Sequence, residues 1–460
     1  MRLDHAATAR PDETLRRARG RTLLVLWATY GSFYFCRANI GPAVPAIRRH
    51  LGFGALEIGL VLGAVKLGYA LGQLVNGQLT ERLGPRRVLA AGMIGSAAAT
   101  LLLGLAPELG AMPVLGVVAA ALASRVASVA HTFGADASVS PTLGVMLLLA
   151  FANGWFQAGG WPPLVKIAAR WFEVGRRGRT MGVLGTSYTV GSAVAIFAVG
   201  GLLDATGGNW RVAFVAPALV LAASFVHTAL RLREHPPDDS GDPAPAAARG
   251  PDRLPVAEAL HATLGNPRVW ILAFGLLGVD AVRYGFLDWA PGHLAEVQRS
   301  GAWSSAGKTA VFALAGALGT LSSGWISDRF FQARRAPVCA VLLAAVAALT
   351  WAYRAVVGVG WAPTVVCLAL TGFCLYGAQI LLVGTAAQDF ARRGATAAAA
   401  GFIDFMGHVG AFGGDVVTGW MLKRHGWAGA IAWWAAAAMM SAALVATLWR
   451  ARPDAAARPS

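Results

Sequence analysis

Apolar stretches of about 20 residues, separated by clusters of glycine, proline and arginine, recur along almost the whole chain. They predict helices near 23–47, 56–79, 86–106, 143–168, 179–203 and 210–231. A second set follows near 268–293, 305–326, 337–357, 362–388, 394–421 and 428–449. A bilayer core of roughly 30 Å takes a helix of that length. Alternating segments of about ten residues, the mark of an outer-membrane barrel, are absent. The pattern predicts an all-α integral membrane protein with twelve transmembrane helices in two pseudo-symmetric six-helix bundles.

The pattern is written twice. Gly77-Gln-Leu-Thr-Glu81-Arg82 returns 247 residues later as Gly324-Trp-Ile-Ser-Asp328-Arg329. Further on the offset shrinks: Gly178 matches Gly394 after 216 residues, and Trp210 matches Trp427 after 217. About 30 residues are therefore inserted in the first half, over 107–142, between helices three and four. Ala111–Ala130 is apolar enough to span, yet one more crossing would invert every later loop. The insertion is expected to be an extracytoplasmic excursion, as an interfacial helix or a helical hairpin. The divisions are a tail (1–22), a bundle (23–232), a polar Pro/Ala-rich linker (233–265), a second bundle (266–450) and a tail (451–460).

Composition agrees. Hydrophobic residues make up 56% of the 460 and charged residues only 13%, against about 25% charged in soluble domains. The formal charge of +16 does not point to nucleic acid, because the basic residues cluster at the ends of apolar runs. Arg82, Arg86, Arg87, then Arg176, Arg177, Arg179, then Arg329, Arg334, Arg335, then Arg392, Arg393 mark cytoplasmic loops. With Arg16, Arg17, Arg19 and Arg21 they put both termini in the cytoplasm; Arg48-Arg49 and Lys423-Arg424 are exceptions. The first 20 residues hold acids and arginines but no apolar core, so they make no cleavable signal. Cys36, Cys339, Cys367 and Cys374 form no metal-spaced cluster and read as buried thiols. No glycine loop leads to a phosphate-binding lysine. No enzyme chemistry, cofactor or ATP-driven pump is readable, so any transport is secondary.

Two charges break the apolar pattern. Arg37 lies within Leu23–Ile47, and Arg283, 246 residues later, within Val269–Ala290. A charge at bilayer depth is retained at a cost of roughly 3 kcal/mol on insertion scales. Two guanidiniums, one per pseudo-symmetric half, would make a receptor for a doubly charged anion. The competing reading is a structural arginine paired with a carboxylate, and Asp280 stands three residues before Arg283.

Three strings extend this. Tyr34-Phe-Cys-Arg37-Ala-Asn39 precedes Pro45. Asn153-Gly-Trp-Phe-Gln157 runs on to Trp161-Pro162-Pro163. Arg283-Tyr284-Gly-Phe-Leu-Asp288-Trp289 precedes Pro291. Together they resemble the organophosphate:phosphate antiporter family of the major facilitator superfamily, over nearly the whole chain except the insertion and tails. The resemblance implies rocker-switch alternating access, with inorganic phosphate exchanged for a phosphorylated metabolite. It also implies a monomer in a bacterial-type inner membrane, and phosphate-binding arginines at Arg37 and Arg283. The paired loops look like the superfamily's signature, with Gly77, Glu81, Arg82, Asp328 and Arg329 gating, or simply latching helix ends together.

The sequence also departs from the family. Gln73 stands where glycerol-3-phosphate members carry a lysine, and Tyr188 stands at their substrate-contacting histidine. Lys66, two turns before Gln73, is expected either to supply the missing charge or to reach the interface. Tyr34 and Tyr69 are candidate phosphate donors or packing aromatics. Asp404 and His408, four apart, could read substrate hydroxyl or amino groups, carry a proton, or form a structural pair. Lys166, Gln379, Asp389 and Asp415 are weaker candidates. Two alternatives to exchange stay open: a transport-like sensor of extracellular sugar phosphate, and a proton-coupled carrier of another anion such as a carboxylate or phosphonate.

Overall fold

A computed structural model describes residues 11–132, 134, 136–172, 174–236, 256–331, 334–386 and 395–451. Within these, the side chains of 11–15, 81, 174–179, 256–257, 328, 384–386 and 396–397 are not described. Most of the linker, the second tail after Ala451, Asp389 and the Arg392–Arg393 cluster lie outside the described residues, as do the side chains of Glu81, Asp328 and Arg176–Arg179.

Every regular element among the described residues is helical. The first half runs α1 Pro11–Phe33, α2 Ile40–Leu51, α3 Ala55–Leu83, α4 Pro85–Leu103, α5 Ala106–Gly110, α6 Pro113–Thr132, α7 Pro141–Gln157, α8 Trp161–Trp171, α9 Val174–Ala205 and α10 Val212–Arg231. After α11 (Val256–Leu264), the second half runs α12 Pro267–Tyr284, α13 Ala290–Gln298, α14 Ala302–Phe330, α15 Arg335–Val356, α16 Trp361–Ile380 and α17 Thr396–Ala446. Eleven stretches are long and apolar enough to cross a bilayer. One of them is α6. Another, Ala398–Ala446, is two legs broken at Gly426, whose φ of 64° suits a residue without Cβ. The first span is missing from that set because it is interrupted between α1 and α2. Counting it, and both legs of α17, leaves six spans in each half with α6 apart.

α6 begins and ends at the same end of the bundle. Gly116 packs on the Gly110 carbonyl beside Pro141. Past the helix, Ser138 N donates to Glu57 Oε1 (2.7 Å) near the start of α3, and Lys423 Nζ donates to Asp136 O. The chain thus returns to where it left. Beside it, the hydrogen bond from Arg211 holds the exposed Glu108 carboxyl below the usual carboxylate range.

The halves meet tightly at this end. A Cβ on Gly59 would stand 2.5 Å from Asp415 O, and one on Gly419 2.5 Å from Ala55 O. Asp204 caps α14 of the opposite half, accepting from Ala302 N and Trp303 N (2.9 Å each). Arg48 pairs with Glu296 at 3.2 Å. At the paired loops, by contrast, a Cβ on Gly77 or Gly324 would meet nothing within 4 Å. Arg82 and Arg329 are exposed. The halves stand apart at the paired-loop end, so close packing through glycine is found at the opposite end instead.

Candidate anion-binding site

Both membrane arginines sit where a helix is interrupted. In the first half, α1 gives way to a 3₁₀ turn, Tyr34–Cys36, and α2 restarts at Ile40. Pro42 has no N–H to continue the ladder and its ring disfavours the helical turn before it. Arg37 N and Ala38 N both donate to Tyr34 O (3.2 and 2.9 Å). The carbonyls this frees are taken by α7. Gln157 Nε2 donates to Phe33 O (3.0 Å) and Asn153 Nδ2 to Cys36 O (2.8 Å). Ser96 joins the two side chains, accepting from Gln157 Nε2 (3.0 Å) and donating to Asn153 Oδ1 (2.7 Å). That is why asparagine and glutamine recur four residues apart: both reach one face and stitch the break. In the second half, a π-helical turn, Gly285–Trp289, follows Arg283, with Pro291 opening the next helix. The two interruptions are pseudo-symmetric counterparts.

The break leaves Arg37 buried. Its Nε donates to Gln157 Oε1 (3.0 Å) and its Nη1 to Tyr34 OH (3.1 Å). Its guanidinium carbon lies 4.7 Å from the Tyr34 ring centre and 4.2 Å from that of Tyr69. Its Nη2 is buried and unpartnered. Arg283 is buried among Tyr284, Tyr376 and Tyr188, at 4.9, 5.1 and 5.8 Å. Its Nη1 stands 3.6 Å from Asp280 Oδ1, which also accepts from Gln379 Nε2 (3.0 Å). Its Nε is buried and unpartnered. Asp280 is thus the carboxylate partner that the competing reading required for Arg283, but it is shared and leaves a donor free. Among the described residues Arg37 has no carboxylate within ion-pair distance.

Aromatic rings connect the two cations across the halves. Tyr188 lies 6.2 Å from Tyr34 and 6.2 Å from Tyr376. Tyr69, with Gln73 Nε2 donating to its hydroxyl (2.8 Å), stacks on His408 at 4.4 Å. His408 Nδ1 lies 3.0 Å from Asp404 O and 3.9 Å from Asp404 Oδ2. Arg37, Arg283, Tyr34, Tyr69, Tyr188, Asp404 and His408 are therefore brought to one central layer.

Lys66 belongs to the same layer with a different partner set. Its ammonium sits 2.5 Å from Asp288 Oδ2 and 2.9 Å from Asp415 Oδ2, and all three side chains are buried. Trp289 Nε1 donates to Asp415 Oδ1 (3.0 Å). The expected third cation for the anion is thus already neutralised by two carboxylates of the opposite half. This is an ion-pair cluster between the halves: Lys66 is buried rather than reaching the interface, and in this conformation it has carboxylate partners that the sequence alone does not name. Residues singled out weakly or not at all in the sequence now matter: Gln157, Asn153, Tyr284, Tyr376, Asp288 and Asp415. Asn153, Gln157, Tyr284 and Asp288 are visible as members of the motifs and Asp415 as an isolated acid, but the pairing of Lys66 with Asp288 and Asp415 is not readable, because it joins residues more than 200 apart; nothing in the sequence points to Tyr376.

The comparisons agree with this architecture. The Major Facilitator Superfamily model matches residues 26–415. The chain is 28% identical over 454 residues to the "Glycerol-3-phosphate transporter" of Bacillus subtilis (95% of this chain, 94% of that one). It is 25% identical to a "Probable hexose phosphate transport protein" of Chlamydia trachomatis (94% and 91%), and 24% identical to the "Membrane sensor protein UhpC" of Escherichia coli (90% and 87%). A solved bacterial homolog of the human lysosomal transporter Spinster, inward-facing and occupied, superimposes with a TM-score of 0.69 at 18% identity, covering 96% and 98%.

Proposed function

The chain belongs to the Major Facilitator Superfamily, a transporter family and not one of enzymes, and on that premise we propose that it exchanges an organophosphate for inorganic phosphate by rocker-switch alternating access. One observation carries this reading: two buried arginines, one per half, each keep an unpartnered donor (Arg37 Nη2, Arg283 Nε) in the central layer. Phosphate monoesters carry about −1.5 to −2 near neutral pH, and guanidinium forks match phosphate oxygens. The anion relieves the repulsion between the two cations, so a loaded site lets the halves close around it more readily than an empty one. The curated relatives named for glycerol phosphate and hexose phosphate support the substrate class. The arginine clusters support a bacterial-type inner membrane with both termini in the cytoplasm. The paired-loop end, where the halves stand apart, then faces inward. Glu81, Arg82, Asp328 and Arg329 act there as the latch of the opposite conformation. The family expectation is a monomer.

Counterflow of radiolabelled phosphate in proteoliposomes tests the reading. Wild-type protein exchanges phosphate, while Arg37→Lys and Arg283→Lys abolish exchange, because an ammonium cannot replace a fork that also holds Gln157 or Asp280. Wild-type rates in either variant would remove the basis of the proposal. Similarity to a membrane sensor favours one second reading, binding without exchange. Saturable binding of sugar phosphate with no counterflow would establish it.

A further inference from the structure

We propose that the organic part of the carried phosphate bears an ammonium group, and that Asp404 receives it; this rests on the reading of Arg37 and Arg283 as the phosphate site. An imbalance of charge points to it. Among the described residues, the other carboxylates of the central layer have a cation at hand: Asp280 has Arg283 at 3.6 Å, and Asp288 and Asp415 share Lys66. Asp404 has none within ion-pair distance except the imidazole of His408, at 3.9 Å. That ring is turned to the Asp404 backbone, with Nδ1 3.0 Å from its carbonyl oxygen. Yet the Asp404 side chain is 33% exposed, while Asp280, Asp288 and Asp415 are 3% exposed or less. It therefore lines open space between the halves. Arg37 and Arg283, one from each half, act on its carboxyl only from beyond ion-pair distance, and the Asp280 carboxylate opposes them.

Two further acceptors lie in the same layer. Asp280 Oδ2 is buried without a hydrogen-bond partner and packs against Gly407, one turn along from Asp404. Gln379 Oε1 is likewise buried and unpartnered. The central layer thus offers unused donors on the arginines and unused acceptors beside them. A second anionic group on the substrate would face Asp404 and be repelled. A hydroxyl would satisfy an acceptor but leave the carboxylate without a cation once the phosphate has taken up the two arginines and the halves have closed over the site. An ammonium meets both demands at once. The matching class is a zwitterion, a phosphomonoester or phosphonate carrying a primary amine.

Matched pairs that differ only in amine for hydroxyl decide it. Proteoliposomes loaded with radiolabelled phosphate are exposed to glucosamine 6-phosphate or glucose 6-phosphate, and to phosphoethanolamine or 2-hydroxyethyl phosphate. In at least one pair the amine is expected to drive half-maximal exchange at roughly one-tenth the concentration or less, because desolvation of the ammonium offsets much, but not all, of its attraction to the carboxylate. Asp404→Asn is expected to bring that ratio close to one. Equal potency within both pairs, or a preference that survives Asp404→Asn, overturns the proposal. If the variant does not fold, thermal shifts of the wild-type protein with the same four ligands decide instead: a larger shift with the amine supports the proposal, and an equal shift within each pair overturns it. A wild-type protein that exchanges no phosphate at all, even against itself, sinks the reading of the arginines instead.

Discussion

Replacing Lys66 by methionine should open the closed end. The ammonium lies 2.5 Å from Asp288 Oδ2 and 2.9 Å from Asp415 Oδ2, so those oxygens are within about 5 Å of each other. Without Lys66, two carboxylates face one another across that gap, in a region where all three side chains are buried. At an effective dielectric near 20 their repulsion alone is about 3 kcal/mol. Breaking a buried pair by removing one partner costs about 3–5 kcal/mol. The first half supplies Lys66 and the second half both acids, so most of this cost falls on the conformation in which this end is closed. Once the halves part, water solvates the acids. A shift of roughly 100-fold or more toward opening at this end follows from about 3 kcal/mol. Spin labels at exposed Asn209 and Val297, one in each half, in a background without the native thiols, report it by double electron–electron resonance. Lys66→Met should lengthen the mean distance, and adding Asp288→Asn and Asp415→Asn should restore it. An unchanged distance distribution in Lys66→Met would refute the assignment of this cluster as a contact that holds the halves together.

Three further outcomes follow from the same geometry. Gln157→Leu removes the acceptor of Arg37 Nε and the donor to Phe33 O; phosphate binding measured by isothermal titration should weaken about 10- to 100-fold, at about 1.5–3 kcal/mol for a charged hydrogen bond. Gly59→Ala places a Cβ 2.5 Å from Asp415 O, an overpacking of about 1–3 kcal/mol, and should shift the same spin-label distances toward opening, whereas Gly77→Ala meets nothing and should not. Because the Glu108 carboxyl is held below its usual range by Arg211, that contact is present at neutral pH and is lost as pH falls through the depressed value. Arg211→Ala should raise the Glu108 titration toward about 4.3 in carbon-13 NMR of selectively labelled protein, and an unmoved titration would count against the contact.

Much of this molecule is legible in one dimension. Span length, the internal duplication and the two membrane arginines each depend only on what a residue is and on its neighbours within a turn or two, since lipid solvates every helix alone and makes a single misplaced charge conspicuous. The spacing of Asn153 and Gln157 is visible too, although not what they bind. Tertiary structure alone decided that Lys66 is neutralised across 222 residues by Asp288 rather than being left for the anion. It also decided that Gly59 and Gly419, not Gly77 and Gly324, mark the present contact between halves. And it left Asp404, among the described residues, without a lysine or arginine partner. The physical reason is common to all three. A buried charge or a glycine surface takes its meaning from whatever the opposite bundle places against it, and that pairing changes as the bundles rock while the sequence does not.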